Sequence, residues 1–192
     1  MITSEPIVLN IENLGISDEQ FYQLCQINEN WQLEQTAQGE LIIMPPVGAI
    51  RGNRESDLNG HLWLWNRQTQ LGKVFSSSTI FSLPNGGKRS PDVAWIANER
   101  WQALSLEEQE TFATICPDFV IELRSRTDSL NQLQRKMQEY LDSGLLLGWL
   151  IDPQNQQVTI YRQNQPVEIL SLPVSLSGEK VLPGFVLELP VF

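Results

Sequence analysis

The sequence predicts a mixed α/β (α+β) fold, with one mixed β-sheet flanked by helices and an N-terminal helix and hairpin appended to it. Three observations predict it. The chain has 192 residues and a hydrophobic fraction of 41%, which suits a single compact domain with a sizeable core. Apolar periodicity runs helix, several strands, helix, strands. No internal repeat, low-complexity tract or linker interrupts that order. The expected division is an appendage over residues 1–44 and a core over 45–192.

Each element has a local reason. Ser17-Asp18-Glu19-Gln20 has capping-box spacing, and Phe21, Leu24 and Ile27 follow at helical intervals, which predicts a helix over 18–28. Trp31 to Gln35 and Glu40 to Met44 alternate around Gly39 and predict a hairpin. Pro45-Pro46 and Gly48 break regular structure. A second helix is expected over 53–70, with Leu58, Leu62 and Trp65 on one face and Gly72 ending it. Lys73 to Ser76, Thr79 to Leu83 and Asp92 to Ile96 read as strands, with Asn85-Gly86-Gly87 as a turn. Short helical pieces fill 99–113, one of them opened by a second capping box at Ser105 to Glu108. Phe119 to Leu123 reads as a buried strand. The amphipathic helix expected over 128–143 carries Leu130, Leu133, Met137, Tyr140 and Leu141, with Gly144 at its C′ position. Further strands are expected at Leu146 to Ile151, Val158 to Arg162, Val167 to Leu170 and Phe185 to Leu189.

Composition bounds the function. The longest apolar run, Leu145 to Ile151, is too short to span a bilayer. The first sixteen residues carry Glu5 and Glu12, no Lys or Arg and no small-residue cleavage site, so no secretory leader is read. Cys25 and Cys116, in no metal-ligand spacing, read as reduced thiols. The expectation is a cytoplasmic protein with no membrane partner and with homo-oligomerisation left open. The net charge of −10 argues against a dedicated nucleic-acid binder, because phosphate contacts need cations. The charge is uneven, however. The first fifty residues hold seven acids (among them Glu12, Glu34 and Glu40) and no Lys or Arg, whereas the rest holds 16 acids and all 13 basic residues. Residues 1–40 are therefore expected to lie remote from any DNA groove, since their field would repel phosphate.

Two segments carry the chemistry. Arg89-Ser90-Pro91-Asp92-Val93-Ala94-Trp95 and Pro117-Asp118-Phe119-Val120-Ile121-Glu122-Leu123-Arg124-Ser125 each place an acid within a hydrophobic strand. A carboxylate there is costly unless paired or bound to a metal. Two on neighbouring strands can share a divalent cation, and Mg²⁺ favours one or two carboxylates completed by water and phosphate. Such an ion activates water and stabilises charge on a phosphodiester. The bland readings are a turn acid at Asp92 and a structural ion pair between Glu122 and Arg124 or Arg126. His61 and the serines have no partner motif.

A Pro-Asp entering a strand, followed thirty residues later by Glu-x-basic on a second, resembles the PD-(D/E)XK nuclease superfamily. More narrowly, the chain resembles the Uma-type restriction endonuclease family. Besides the two segments above, the matching stretches are Met44-Pro45-Pro46, Lys136 through Tyr140 to Gly144, Gly148-Trp149-Leu150-Ile151-Asp152-Pro153 and Leu182-Pro183-Gly184-Phe185. The resemblance implies a restriction-endonuclease-like core and DNA as partner. It implies Asp92, Glu122 and the carbonyl of Leu123 as ligands of Mg²⁺ or Mn²⁺. Where the family carries a polar residue after the Pro-Pro turn, this chain has Ile50-Arg51, and Glu55, one helical turn on, is the nearest carboxylate. The Glu-x-Lys position holds Arg124, which cannot readily yield a proton. The resemblance places the lysine on the following helix, as Lys136. The catalytic candidates are thus Asp92, Glu122, Lys136, Arg124 and Glu55. Two functions stand open: a metal-dependent DNA endonuclease, and a catalytically inactive nuclease-fold binding or assembly module.

Overall fold

The computed structural model describes residues 6–192; Glu5 and the four residues before it lie outside the described residues. The chain runs β1 (Ile7–Asn10), α1 (Asp18–Ile27), β2 (Gln32–Gln35), β3 (Glu40–Met44), α2 (Ala49–Thr69), β4 (Gly72–Ser76), β5 (Phe81–Ser82), β6 (Lys88–Arg89) and β7 (Val93–Ala97). It continues through α3 (Asn98–Gln102), α4 (Leu106–Glu110), β8 (Phe119–Leu123), α5 (Leu130–Asp142), β9 (Leu147–Asp152), β10 (Gln157–Arg162), β11 (Glu168–Ser171), β12 (Val174–Ser177) and β13 (Val186–Leu189). Among the described residues, no helix is long and apolar enough to cross a membrane.

The predicted mixed sheet has six strands in the order β11-β10-β9-β8-β7-β4. Only β8 and β9 are parallel, joined by the crossover helix α5; every other pair is antiparallel. A second sheet, β1-β3-β2-β6-β5, joins the N-terminal hairpin to two short strands of the core. The hairpin is thus built into the same sheet system as β6, which leads directly to Asp92. Strands β12 and β13 form a separate C-terminal hairpin.

Period-two alternation sorts the mixed sheet's side chains onto two faces. Val93 and Trp95, Phe119 and Ile121, and Trp149 and Ile151 pack with Leu58, Leu62 and Trp65 of α2 and with Leu176 and Leu187 of the C-terminal hairpin. Ala94 and Ile96, Val120 and Leu150 pack on Met137 and Tyr140 of α5. Gly148 permits that close approach, because a Cβ there would stand 2.5 Å from Met137 Cε and 2.8 Å from Leu145 Cδ2. Helix α5 ends at the expected place, with Gly144 at φ 105, a conformation that glycine adopts without a Cβ clash.

Both capping boxes form. Ser17 Oγ accepts the Gln20 N–H at 3.2 Å while Gln20 Oε1 accepts the Ser17 N–H at 2.9 Å, and Ser105 and Glu108 repeat the exchange. Helix α2 starts at Ala49, earlier than the apolar pattern suggests, because its first turn faces the cleft described below and not the core. Strands β1, β6 and β12 are unanticipated. β1 is exposed along its length and held as an edge by pairing with β3, and β6 is only two residues long.

Candidate active site

Asp92 directly precedes β7, and Glu122 is the fourth residue of β8. Val93 stands opposite Ile121 in the antiparallel register, so Asp92 and Glu122 face each other one step further on. Both share parity with the residues that pack on α5 (Asp92 with Ala94, Glu122 with Val120), so both carboxylates lie on that face of the sheet. Asp92 is 6% exposed and Glu122 2%. Asp92 Oδ2 accepts the backbone N–H of Leu123 at 2.6 Å, which ties the two strand ends together.

Lys136 completes this centre. It lies on the buried side of α5 with Met137 and Tyr140, and its Nζ is 2.8 Å from Glu122 Oε1. Nζ also donates to Glu34 Oε1 at 2.8 Å and to the Ser90 carbonyl at 3.1 Å. The Tyr140 hydroxyl donates to Glu122 Oε1 at 3.1 Å. Glu34 further accepts from Arg89 Nη1 at 3.0 Å and from the Ser90 N–H at 3.1 Å, and Arg89 is gripped on its other edge by Glu139. Burial pushes the Glu34 carboxyl up, but Lys136 and Arg89 more than offset it and hold it below its ordinary value. At Glu122 burial wins: with Asp92 and Glu34 adding to it against Lys136, the carboxyl is pushed up to about 8. Burial beside Glu122 holds the Tyr140 phenol well above its ordinary value.

Arg51 closes the other side. From the first turn of α2 its Nη2 donates to Asp92 Oδ1 at 2.9 Å, its Nε to Glu55 Oε1 at 2.5 Å and its Nη1 to Asp128 Oδ2 at 3.2 Å. Burial and the neighbouring Asp92 raise the Glu55 carboxyl, with Arg51 opposing. Glu55 thus reaches the centre next to Asp92. Arg124 does not: its Nη1 donates to Asp152 Oδ2 at 2.9 Å and its Nε to the Asp128 carbonyl at 3.2 Å.

These groups line one open cleft of about 2170 Å³. Seven of the chain's 13 basic residues border it together with nine acids, a formal charge of −2 against −10 for the whole chain. Arg126 and Arg135 are exposed at its rim and make no ion pair among the described residues. The expectation that the acidic N-terminal segment lies remote from this cleft is wrong. Glu12, Glu34 and Glu40 all line it, and Glu34 is buried within it. For Glu34 the repulsion argument fails because the carboxylate is paired with Lys136 and Arg89. Leu33 and Glu34, neighbours on opposite faces of β2, are both buried, Glu34 within the ion network of Lys136 and Arg89. Arg89, Tyr140 and Glu139 were likewise missed, and Arg51 was noted only as a departure from the family. Arg89 and Tyr140 lie within the quoted motifs but read there as flanking and core residues.

A comparison with family models matches residues 18–191 to Uma2, described as "Putative restriction endonuclease". The chain belongs to the Uma2 family. Among solved structures, a nuclease of the DUF820 group from Anabaena variabilis ATCC 29413, itself described as putative, superposes with a TM-score of 0.70. That match has 22% identity and covers 82% of this chain and 87% of the other, so it shows a shared fold. A comparison with the curated proteins gives no match. Within the Uma2 match fall both acids, Lys136 and the hairpin residue Glu34.

The donor set suits a hard divalent cation. Asp92 and Glu122 stand at facing positions of neighbouring strands, with Arg51 on Asp92 Oδ1 and Lys136 on Glu122 Oε1. No cage of three or more His, Cys, Asp or Glu side chains is preformed among the described residues. A pair of carboxylates completed by water and phosphate is the arrangement Mg²⁺ prefers.

Proposed function

We propose that this chain is a divalent-cation-dependent nuclease that hydrolyses DNA phosphodiester bonds. The observation that carries the reading is the juxtaposition of buried Asp92 and Glu122 at adjoining strand ends, with the Lys136 ammonium on Glu122. Asp92, Glu122 and the Leu123 carbonyl are the residues that would hold Mg²⁺ or Mn²⁺. When bound there, such an ion would supply Lewis-acid polarisation of the phosphate and activation of water.

The chain's own residues do the rest. The Lys136 ammonium donates to Glu34 and to the Ser90 carbonyl and stands 2.8 Å from Glu122 Oε1, so two carboxylates and a carbonyl surround it. Lys136 is therefore held protonated and serves as a fixed positive charge that stabilises the attacked phosphate, not as a base. Tyr140 orients Glu122, and the Leu123 N–H orients Asp92. Arg126 and Arg135 at the rim supply backbone contacts for a polyanion. A second reading, the inactive binding or assembly module, draws support from Arg51, which already engages Asp92.

Cleavage assays on single- and double-stranded DNA with Mg²⁺ and Mn²⁺ separate the two. Metal-dependent cleavage that disappears in Asp92→Ala and in Glu122→Ala supports the nuclease. No cleavage by the wild type across pH and metals favours the module, and undiminished cleavage by Asp92→Ala removes this site from the reaction.

A further inference from the structure

Arg51 uses its guanidinium on three carboxylates from three parts of the chain: Glu55 on its own helix, Asp92 before β7 and Asp128 after β8. The two oxygens of Asp92 are held differently. Oδ2 is fixed by the main chain of Leu123, whereas Oδ1 accepts from the side chain of Arg51, at Nη2. Glu55 and Asp128 bind the other nitrogens, Nε and Nη1. The guanidinium can therefore release Asp92 while remaining anchored on both. Asp128 is itself fixed, since its Oδ2 also accepts the Ser125 N–H at 2.8 Å. Three carboxylates around one guanidinium leave a formal excess of two negative charges, which is the charge of one divalent cation.

Building on the nuclease reading above, we propose that Arg51 is a displaceable counter-ion. It occupies Asp92 Oδ1 until a divalent cation takes that oxygen. Its vacated Nη2 edge then faces the cleft beside the acid pair and receives a non-bridging oxygen of the DNA phosphate. A guanidinium is suited to this exchange, because its donors are fixed in one plane and match a carboxylate or a phosphate equally well. Arg51 thus stands at the family's polar position after the Pro-Pro turn, not as a failed ligand but as a placeholder for the ion and then a contact for the substrate.

The test is calorimetric titration of the full chain with Mn²⁺, using the wild type, Arg51→Gln, Arg51→Lys and Asp92→Asn. Removing a competing cation should tighten Mn²⁺ binding about tenfold in Arg51→Gln. Arg51→Lys, a point charge that cannot span three acids, should fall between it and the wild type. Equal or weaker Mn²⁺ binding in Arg51→Gln overturns the exchange. Should that variant fail to fold, Arg51→Lys decides alone: tighter than wild type supports the exchange, and equal or weaker overturns it. DNA binding gives a second readout. With Ca²⁺ saturating the site, Arg51→Gln should lower the slope of log affinity against log salt by about one; with no divalent ion the slope should not change. The same slope change in both conditions, or in neither, contradicts the exchange. Asp92→Asn separates the two levels of the argument. If it keeps wild-type Mn²⁺ affinity, the acid pair is not the ion site and both readings fall. If it loses Mn²⁺ while Arg51→Gln binds no tighter, only the exchange falls.

Discussion

Replacing Glu34 with alanine tests the link between the N-terminal hairpin and the site. Glu34 is 2% exposed and accepts three hydrogen bonds, two from the cations Lys136 and Arg89 and one from the Ser90 N–H. Hydrogen bonds to charged groups contribute about 1.5–3 kcal/mol each, and deleting one partner of a buried ion pair costs about 3–5 kcal/mol. Lys136 keeps Glu122 and Arg89 keeps Glu139, so neither cation is orphaned and the lower end applies, about 3 kcal/mol. At about 2–4 °C per kcal/mol for a chain of this size, the melting temperature should fall by about 6–12 °C. Urea denaturation at neutral pH, beside a thermal scan, reads both. The sign with pH follows from the lowered Glu34 value. Its contribution is complete above the ordinary carboxylate value of 4.5 and is lost as pH falls through the native value. The gap between wild type and variant should therefore narrow in acid. A loss under about 1 kcal/mol, the range of a surface pair, would show that Glu34 is not a buried counter-ion of the site.

Three further outcomes follow from the same geometry. Lys136→Met should lower the cleavage rate about 10²–10³-fold with Mn²⁺ binding retained, and Arg124→Ala should change it only a few-fold because Arg124 is spent on Asp152; a larger defect in Arg124→Ala would assign the cation's role to the arginine. Tyr140→Phe should cost about 1–2 kcal/mol in urea denaturation, since it leaves Glu122 without its hydroxyl donor, and an unchanged midpoint would contradict that contact. Burial pushes the Cys25 thiol up to about 11 and the Cys116 thiol up to about 12. At pH 8 about one Cys25 in a thousand is then thiolate, so a thiol reagent should label the native protein slowly, faster as pH rises toward 11, and both cysteines at once in denaturant; rapid native labelling at pH 7 would contradict the burial.

The strands and helices that hold the acids were legible because their own residues decide them. Phe119 to Leu123 is apolar on both sides of Glu122, and α5 carries a long amphipathic stripe; both formed where expected. Asp92 and Glu122 could be singled out because each places an acid in an apolar strand segment, and Lys136 because the family resemblance pointed to it. The remaining members of the centre could not be found this way. Glu34 belongs to the site only because β2 pairs with β6 across more than fifty residues of chain, at Gln35 and Lys88. Local alternation carries no trace of that pairing. Arg51 was recognised as a departure from the family, but its three carboxylates come from distant segments that meet only in the fold. Arg124 shows the converse. Its motif position suggested the site, yet the neighbouring β9 offers Asp152 as a nearer partner. Charge summed along the N-terminal segment misled for the same reason, since it ignored which acids would be paired.

The central claim is that Asp92 and Glu122 together bind one divalent cation. Crystals soaked in Mn²⁺ and measured for anomalous scattering test it most directly. The account predicts a single strong peak within coordination distance of both carboxylates, at about 2.0–2.2 Å from an oxygen of each, with the peak absent in Asp92→Asn crystals. A fully soaked crystal with no peak between the two acids, or with Mn²⁺ bound elsewhere and Arg51 still on Asp92, would contradict it.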